Sequence, residues 1–576
     1  MKRDVSIVIA GAAGQGIETV ADFMATVLKL SGYHVFVTRE FMSRIRGGTN
    51  SLQIRICSER TAAYVRRTDL LVPLTEDAIP HLRKYRRTQE DTQFLGEEGI
   101  VGEQAGVDPD NVINVDFSGI AKEVGGKIYS NTVAAGVITS LFGVNLDIVR
   151  DYLERRFGDK GEDVVNENID AYNRGVEIGN HLQQEGKLNY KVEKKNKVKD
   201  DILISGTESI GLGAIAGGCN FIASYPMSPS TGLLVFLSQQ SKEFGIVVDQ
   251  VEDEISGINK GLGAWYAGAR AMITTSGGGF ALMSEGLSLA GMTETPMVLH
   301  VAQRPGPATG LPTRTGQEDL KHVLGAAHGE FPRIVLTPGT YEDGFYLTQK
   351  AFNLADKYQV PVFVLTDQFF VDSSYNIPQL DISNLKVEKH IVKTDQGYQR
   401  YAITEDGISP RGIPGFGDGF VRADSDEHDE NGHITEDMNL RIEMVNKRLH
   451  KKIEAIKEDY IYPELVGSED YKTLVVAWGS NYYVVKEALD KLDLDDVALL
   501  HFKQVYPLPS DLKEHFETAE QILAVENNAT GQFCDLLLTE LGVSISQNDR
   551  LLKYDGLPFP VEMVTEFIEE ATKRRR

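Results

Sequence analysis

Cysteine is almost missing from this chain. Its 576 residues include three, Cys57, Cys219 and Cys534, far apart and with no C-x-x-C pair. An iron–sulfur cluster draws on about four thiolates, so the chain does not hold one alone. A disulfide framework is excluded too, and so few thiols point to a reducing compartment. Long apolar runs are also lacking: none approaches the ~20 residues of a membrane-spanning helix. Met1-Lys2-Arg3 leads straight into a strand instead of a signal peptide. Nor is there a basic excess. With 84 acidic against 59 basic residues the net charge is -25, which argues against a nucleic-acid or anionic-membrane partner. The basic end, Lys573 to Arg576, reads as a solvated tail. A cytoplasmic protein is expected, and its length suggests about three or four domains.

What is present is alternation of strand and helix. Residues 4–10, DVSIVIA, run into Gly11-Ala12-Ala13-Gly14-Gln15-Gly16, and a helix follows from about Ile17. Such a turn presents free backbone N–H groups at a helix N-terminus, which suits a phosphate or other anion. Its spacing is not the dinucleotide G-x-G-x-x-G. The next strand, HVFVTRE, leads to a second glycine turn in which Arg44 and Arg46 flank Ile45 before Gly47-Gly48. These arginines belong either to a solvated loop or to an anion site facing the first turn. An α/β pattern continues to residue 183. The charged stretch 184–199 then reads as a linker.

A second α/β domain is expected over 200–380. The small residues of its first helix, about Glu208 to Gly218, suit close packing on a sheet. The strand after it ends at Tyr225-Pro226-Met227-Ser228-Pro229-Ser230. Two prolines fix this backbone, and the hydroxyls of Ser228 and Ser230 stand where a ligand would sit; alternatively Ser230 or Thr231 caps the next helix. The stretch from Ile246 to Thr315 organises the rest. It reads as strand, acidic turn, small-residue helix, strand, glycine loop, helix, strand and basic loop, a pattern that builds a parallel sheet with ligand loops at its carboxyl end. Of Glu252, Asp253 and Glu254, two serve only as an acidic helix start, while Glu254 precedes a helix too apolar for a solvated carboxylate. Arg304 opens a loop stiffened by Pro305, Pro307 and Pro312. A buried acid and a pinned guanidinium in one crevice suggest catalysis.

Residues 381–465 change character: glycine-rich, then acidic, then basic and helical. His428 and His433 are five apart in a polar loop and lack the i, i+4 face of a helical metal site, so no metal is assigned to this chain. The section reads as a connecting arm and subunit contact. A third α/β domain is expected over 466–576, with Gly479, Tyr506-Pro507-Leu508-Pro509 and Asn527-Asn528 ending its strands.

At these motifs the chain resembles the α subunit of a 2-oxoacid:ferredoxin oxidoreductase with the family's γ domain fused at its N-terminus. The γ signature matches Gly14-Gln15-Gly16 and Arg46-Gly47-Gly48, the α signature Tyr225 to Ser230, and a third Arg304 to Thr313. Departures are Ser228 for threonine, Met227 for isoleucine, Ala13 for glycine, and Ser276-Gly277-Gly278-Gly279-Phe280 for Ser-Gly-Pro-Gly-Phe, which makes that turn more flexible. The resemblance implies an α/β multidomain fold: a γ domain over 1–183, a pyrimidine-type thiamine-diphosphate domain over 200–380, and a transketolase-C-like domain over 466–576.

The activity so implied is thiamine-diphosphate-dependent oxidative decarboxylation of a 2-oxoacid, 2-oxoglutarate by preference, to acyl-coenzyme A, with electrons passed to ferredoxin. The cofactor would be shared with a β subunit that carries its diphosphate site, Mg²⁺ and a 4Fe–4S cluster, in an α2β2 complex without which the chain is inactive. By the same resemblance Glu254 would bond the aminopyrimidine ring, with Tyr225 and Pro226 beside it. Arg304 would pair with the substrate carboxylate, and Thr313 and Ser228 would contact the oxoacid. Gly14, Gln15, Gly16, Arg44 and Arg46 would meet coenzyme A, the co-substrate. Arg314 is the nearest cation for a second substrate carboxylate, or an exposed loop arginine. The alternatives are pyruvate or a branched-chain oxoacid as substrate, a non-redox thiamine enzyme, and a non-catalytic assembly subunit.

Overall fold

The computed structural model describes residues 3–12, 15–42 and 48–575, so Gly14, Arg44 and Arg46 lie outside the described residues. Two units emerge: Met1–Ile204 with Ser373–Leu380 and Pro560–Glu562, and the remainder of the chain. The strand Asp4–Ala12 shows why its sequence lacks a polar face. Val5, Ile7 and Ile9 enter a large core with the helices, while Val8 and Ala10 enter a smaller one with Leu71, Ile79 and Phe94. Successive side chains point to opposite faces, and both faces here are covered. The strand is fourth in an eight-stranded sheet: Val112–Asn114, Gln93–Gly96, Leu70–Pro73, Asp4–Ala12, Thr49–Cys57, His34–Glu40, Ser374–Ile377, Ile202–Ser205.

Glycine lets two helices of this unit, Ser130–Ser140 and Glu162–Gln184, touch backbone to backbone. A Cβ on Gly136 would lie 2.3 Å from the Tyr172 carbonyl oxygen, and one on Gly175 2.1 Å from that of Val133. The stretch expected as a linker is instead strapped to the unit. Leu188, Tyr190 and Val192 alternate with charged and polar residues and are buried in its core. The Tyr190 hydroxyl reaches the Asp69 carbonyl at 2.9 Å. A period of two hides in this stretch because lysines dominate its composition.

In the second unit a seven-stranded sheet runs in the order Gln504–Tyr506, Ile334–Leu336, Pro361–Asp367, Met297–Gln303, Ala271–Thr275, Phe221–Ser224, Val247–Gln250. Phe221–Ser224 pairs in parallel with Val247–Gln250 on one side and Ala271–Thr275 on the other. The chain therefore leaves this strand in one direction and returns on its other side. At such a switch the loops part and leave a crevice at the carboxyl ends. The small residues of the helix Gly206–Ala216 serve packing: a Cβ on Gly213 would lie 2.4 Å from the Phe345 carbonyl oxygen of Tyr341–Tyr358.

A five-stranded sheet follows: Glu464–Gly467, Val497–Phe502, Thr473–Trp478, Gln521–Glu526, Arg550–Leu552. It shares one core with its predecessor, where Phe280, Leu299 and Phe363 cluster with Trp478, Phe502 and Phe533. Gln504–Tyr506 crosses over to pair antiparallel with Ile334–Leu336. The basic end is not a free tail. Lys573, Arg574 and Arg575 close the helix Val561–Arg575, where cations suit the dipole, and Arg575 pairs with Asp496.

The arm is held by buried charge. Glu294, in the left-handed region at φ 47°, accepts Lys447 Nζ at 2.6 Å on one oxygen and Lys452 Nζ on the other. Arg400 adds a bond of 2.7 Å to the Glu294 carbonyl. Lys447 and Lys452 are five apart, a spacing that an α-helix splays. The wide turn Asn446–Lys451 bonds i to i+5 and brings them to one face. The two ammoniums hold the Glu294 carboxyl far below its ordinary range, although burial opposes them. A second buried cluster joins Asp356 to Arg270 and Arg411.

Glu294→Gln leaves two buried ammoniums without their counter-charge, and a loss of about 3–5 kcal/mol is expected. Urea denaturation of the purified chain measures it, with early proteolysis inside 381–458 as the accompanying sign.

Candidate active site

Four strand ends of the seven-stranded sheet supply the site. After Val247–Gln250 the three acids divide their tasks. Glu252 is exposed, and Asp253 caps the helix Glu254–Tyr266 by accepting the Ser256 N–H at 2.8 Å. Glu254 turns inward and is 3% exposed. After Ala271–Thr275 comes Ser276-Gly277-Gly278-Gly279, which opens the helix Gly277–Leu282. This turn is filled, not flexible as its sequence suggests. A Cβ on Gly279 would lie 2.4 Å from Glu254 Oε1, and one on Gly277 2.2 Å from Asp319 Oδ1. Two carboxyl groups thus occupy the space that the missing side chains leave.

Three buried polar atoms around this turn have no hydrogen-bond partner: Glu254 Oε1, Ser276 Oγ and Asp319 Oδ2. Each such atom costs about 1–3 kcal/mol, so their gathering marks a place built for another molecule. The donor set fits the aminopyrimidine end of a thiamine cofactor. An inward carboxyl oxygen is free for a ring N–H, and backbone lies close beside it.

After Met297–Gln303, the Arg304 guanidinium donates to the Ser228 carbonyl at 2.7 Å. The bond brings two sequence-predicted residues together across the crevice. Ser228 and Tyr225 are exposed on the turn after Phe221–Ser224, and Pro226 is half-buried. The Ser230 hydroxyl folds back to the Met227 carbonyl at 2.7 Å and does not cap the helix Thr231–Phe244. Thr313 and Arg314 are half-buried further along the Arg304 loop. Burial lowers the Arg304 pKa, with Asp319 opposing. The Asp319 carboxyl is pushed up to about 7 by burial, helped by Glu318 and opposed by Arg304.

The far end of this loop is bolted down by Gln317, a residue that sequence reasoning missed. Its Nε2 donates to the Trp478 carbonyl at 3.0 Å, and its Oε1 accepts from Asn481 and from the Asn527 N–H. Asn528 donates to its carbonyl at 3.1 Å. Asn527-Asn528 and the end of Thr473–Trp478 had been legible as strand ends; their common partner was not. Asp319 was missed as well, since an acid three residues past a glycine carries no motif of its own.

In the other unit, the Gln15 side chain accepts the Ala12 N–H at 2.9 Å, and Gly16 takes φ 72° at the start of the helix Ile17–Leu30. A cavity of about 320 Å³ there is lined by Gln15, Gly16, Glu18, Arg39, Asn50 and Ser51. Arg39 is a further missed residue, since it reads as part of the strand His34–Glu40.

Comparison with known proteins follows the same division. The family model for pyruvate ferredoxin/flavodoxin oxidoreductases matches residues 6–178, and that for their thiamine-diphosphate-binding domain residues 212–447. The α subunit of a 2-oxoacid:ferredoxin oxidoreductase from a Sulfolobus species is 30% identical over 96% of this chain and 95% of its own. The chain belongs to the 2-oxoacid:ferredoxin oxidoreductase family. The 2-oxoglutarate synthase subunit KorA of Archaeoglobus fulgidus is 33% identical over 57% of this chain and 88% of that protein. A structure of the 2-oxoglutarate:ferredoxin oxidoreductase of Magnetococcus marinus, with 2-oxoglutarate, coenzyme A and succinyl-CoA bound, superposes with a TM-score of 0.90 at 31% identity. It covers 99% of this chain and 100% of the other. As a family member the chain is a subunit of an oxidoreductase with a thiamine-diphosphate-binding domain. Among the described residues no helix is long and apolar enough to cross a membrane.

Gly279→Ala drives a methyl group into the Glu254 carboxyl. Turnover of the assembled enzyme is expected to fall about 100-fold, the scale of a 1 Å misplacement in an active site, with the far-UV circular dichroism kept. Unchanged turnover would show that Glu254 does not depend on this approach.

Proposed function

We propose that this chain is the half of a two-subunit enzyme that oxidatively decarboxylates 2-oxoglutarate, with coenzyme A taking the acyl group and ferredoxin the electrons. The observation that carries the reading is Glu254: a buried carboxyl with an unpartnered oxygen, at the same end of the same sheet as Arg304. The Archaeoglobus relative's name and the molecules bound to the Magnetococcus enzyme support 2-oxoglutarate over pyruvate.

Thiamine diphosphate, when bound, supplies a carbon nucleophile and an electron sink for the loss of CO2. Glu254 Oε1 would hold a proton in common with the aminopyrimidine ring, as general acid–base chemistry there requires. Tyr225 and Pro226 would wall the same site. Arg304 would bind the substrate carboxylate with the guanidinium edge that the Ser228 carbonyl leaves open, since a planar, permanently charged fork suits two oxygens. The hydroxyls of Ser228 and Thr313 would orient the 2-oxo group. Gln15 and Gly16, with Gly14, Arg44 and Arg46, would hold coenzyme A. The diphosphate site, Mg²⁺ and a 4Fe–4S cluster would belong to a β subunit, in a cytoplasmic α2β2 complex.

Anaerobic purification of the chain with its partners, followed by viologen reduction with 2-oxoglutarate or pyruvate, tests this directly. Coenzyme A-dependent reduction, faster with 2-oxoglutarate, is expected; preference for pyruvate would overturn the substrate. Glu254→Gln should lower kcat by about 10²–10⁴-fold in the same complex, whereas an assembly subunit would be indifferent. Arg304→Lys should raise KM for the oxoacid more than it lowers kcat.

A further inference from the structure

We propose that the first unit holds a second anion site, at the opposite end of the helix Ile17–Leu30 from the cavity of Gln15 and Gly16. Its ligand is a dissolved organic anion, a carboxylate or phosphate carried on an apolar body. Three elements wall a cavity of about 590 Å³ there: the C-terminal turns of Ile17–Leu30 and of the helix Leu146–Phe157, and the strand Ile202–Ser205 at the edge of the eight-stranded sheet. That volume is ordinary for a pocket that holds a small molecule. All of its lining belongs to the first unit. One side is apolar, made by Leu30, Ile202, Leu203 and the Tyr152 ring, each half-buried. Phe23 meets that ring edge-on at 5.2 Å between centroids and fixes its plane.

Lys29, Arg155 and Arg156 bring three cations to the same lining, a local reversal of sign on a chain whose net charge is -25. Basic residues suit the ends of helices, and Arg155 obeys that rule: its Nε donates to the Asp151 carbonyl at 3.0 Å. The rule does not account for the other two. Lys29 is 8% exposed, and its Nζ donates at 2.7 Å to the Lys199 carbonyl, outside its own helix. Among the described residues no carboxylate forms an ion pair with it, and a buried ammonium left so is costly. Burial lowers its pKa, with Asp201 and Asp200 opposing. The lining's carboxylate, Asp201, is turned to another partner, since its Oδ2 accepts the Asn376 amide at 2.6 Å. Arg156 makes no hydrogen bond or ion pair among the described residues. Two guanidiniums offer forks to the oxygens of an anion, the ammonium gains the counter-charge it lacks, and the apolar side covers the rest of the ligand. Inorganic phosphate would leave that side wet, and a neutral apolar molecule would leave Lys29 unmet.

Isothermal titration of the full chain with hexyl phosphate, hexanoate, inorganic phosphate and 1-hexanol tests this. Hexyl phosphate and hexanoate are expected to bind at one site per chain, at least about tenfold more tightly than inorganic phosphate or 1-hexanol. Arg155 and Arg156 are exposed, so the double variant Arg155→Gln, Arg156→Gln should keep its far-UV circular dichroism. It should bind hexyl phosphate about tenfold more weakly, and added salt should weaken the unaltered chain's binding in the same direction. Inorganic phosphate binding as tightly as hexyl phosphate would reduce the cluster to unspecific charge attraction and overturn the proposal. So would affinity that the double variant keeps, or no saturable binding of either organic anion. Binding to phosphatidylglycerol vesicles without binding of the dissolved anions would make the patch a membrane contact and overturn it as well.

Discussion

Two carboxyl groups, on Glu254 and Asp319, press against backbone where Gly279 and Gly277 have no side chains. Everything at the crevice depends on that approach. An acid buried at a sheet's carboxyl end is costly unless something meets it, and no group of the chain bonds Glu254 Oε1 or Asp319 Oδ2. The cost is carried by the surrounding frame, which is tied down on every side. The buried strands Ala271–Thr275 and Met297–Gln303, the capped helix that begins at Glu254 and the filled glycine turn enclose these groups. Preorganisation of this kind favours catalysis, because the site need not rearrange when charge develops.

The loop from Arg304 to Asp319 is pinned at both ends, by Arg304 on the Ser228 carbonyl and by Gln317 on Trp478, Asn481, Asn527 and Asn528. The second anchor explains why the five-stranded sheet is inseparable from the catalytic one. It supplies no residue expected at the substrate, yet it holds the loop that does. Asp367 extends the same logic: it accepts the Ser480 hydroxyl, and its neighbour Phe369 donates to Thr315 Oγ1 at 3.2 Å. Polar contacts of this kind fix register and orientation in a way that apolar packing alone does not.

Elsewhere buried charge does structural work. Glu294 with Lys447 and Lys452, and Asp356 with Arg270 and Arg411, hold the irregular arm, which has little repetitive structure of its own. His428, weighed in sequence as a metal ligand, packs tilted against the Tyr401 ring at 3.9 Å between centroids and bonds the Asp426 carbonyl. A net charge of -25 conveys none of this. Solvated acids dominate that sum, while the few buried pairs decide how the arm is held.

The sequence by itself determined the α/β class and the strand ends from which a site could be built. Period, glycine turns and paired prolines are local, so they survive without coordinates. It also singled out Glu254 and Arg304, because an acid before an apolar helix and an arginine after a buried strand are anomalies on their own terms. Tertiary structure alone decided which distant groups meet. The seam of Leu188, Tyr190 and Val192, the fivefold spacing of Lys447 and Lys452, and the convergence of Gln317 on three asparagines have no local signature. Hydrogen-bond partners more than 150 residues apart, such as Gln317 and Asn481, are set by how the sheets pack. Burial, which pushes the Asp319 carboxyl up to about 7, is likewise a property of the packed fold and of no single stretch of chain.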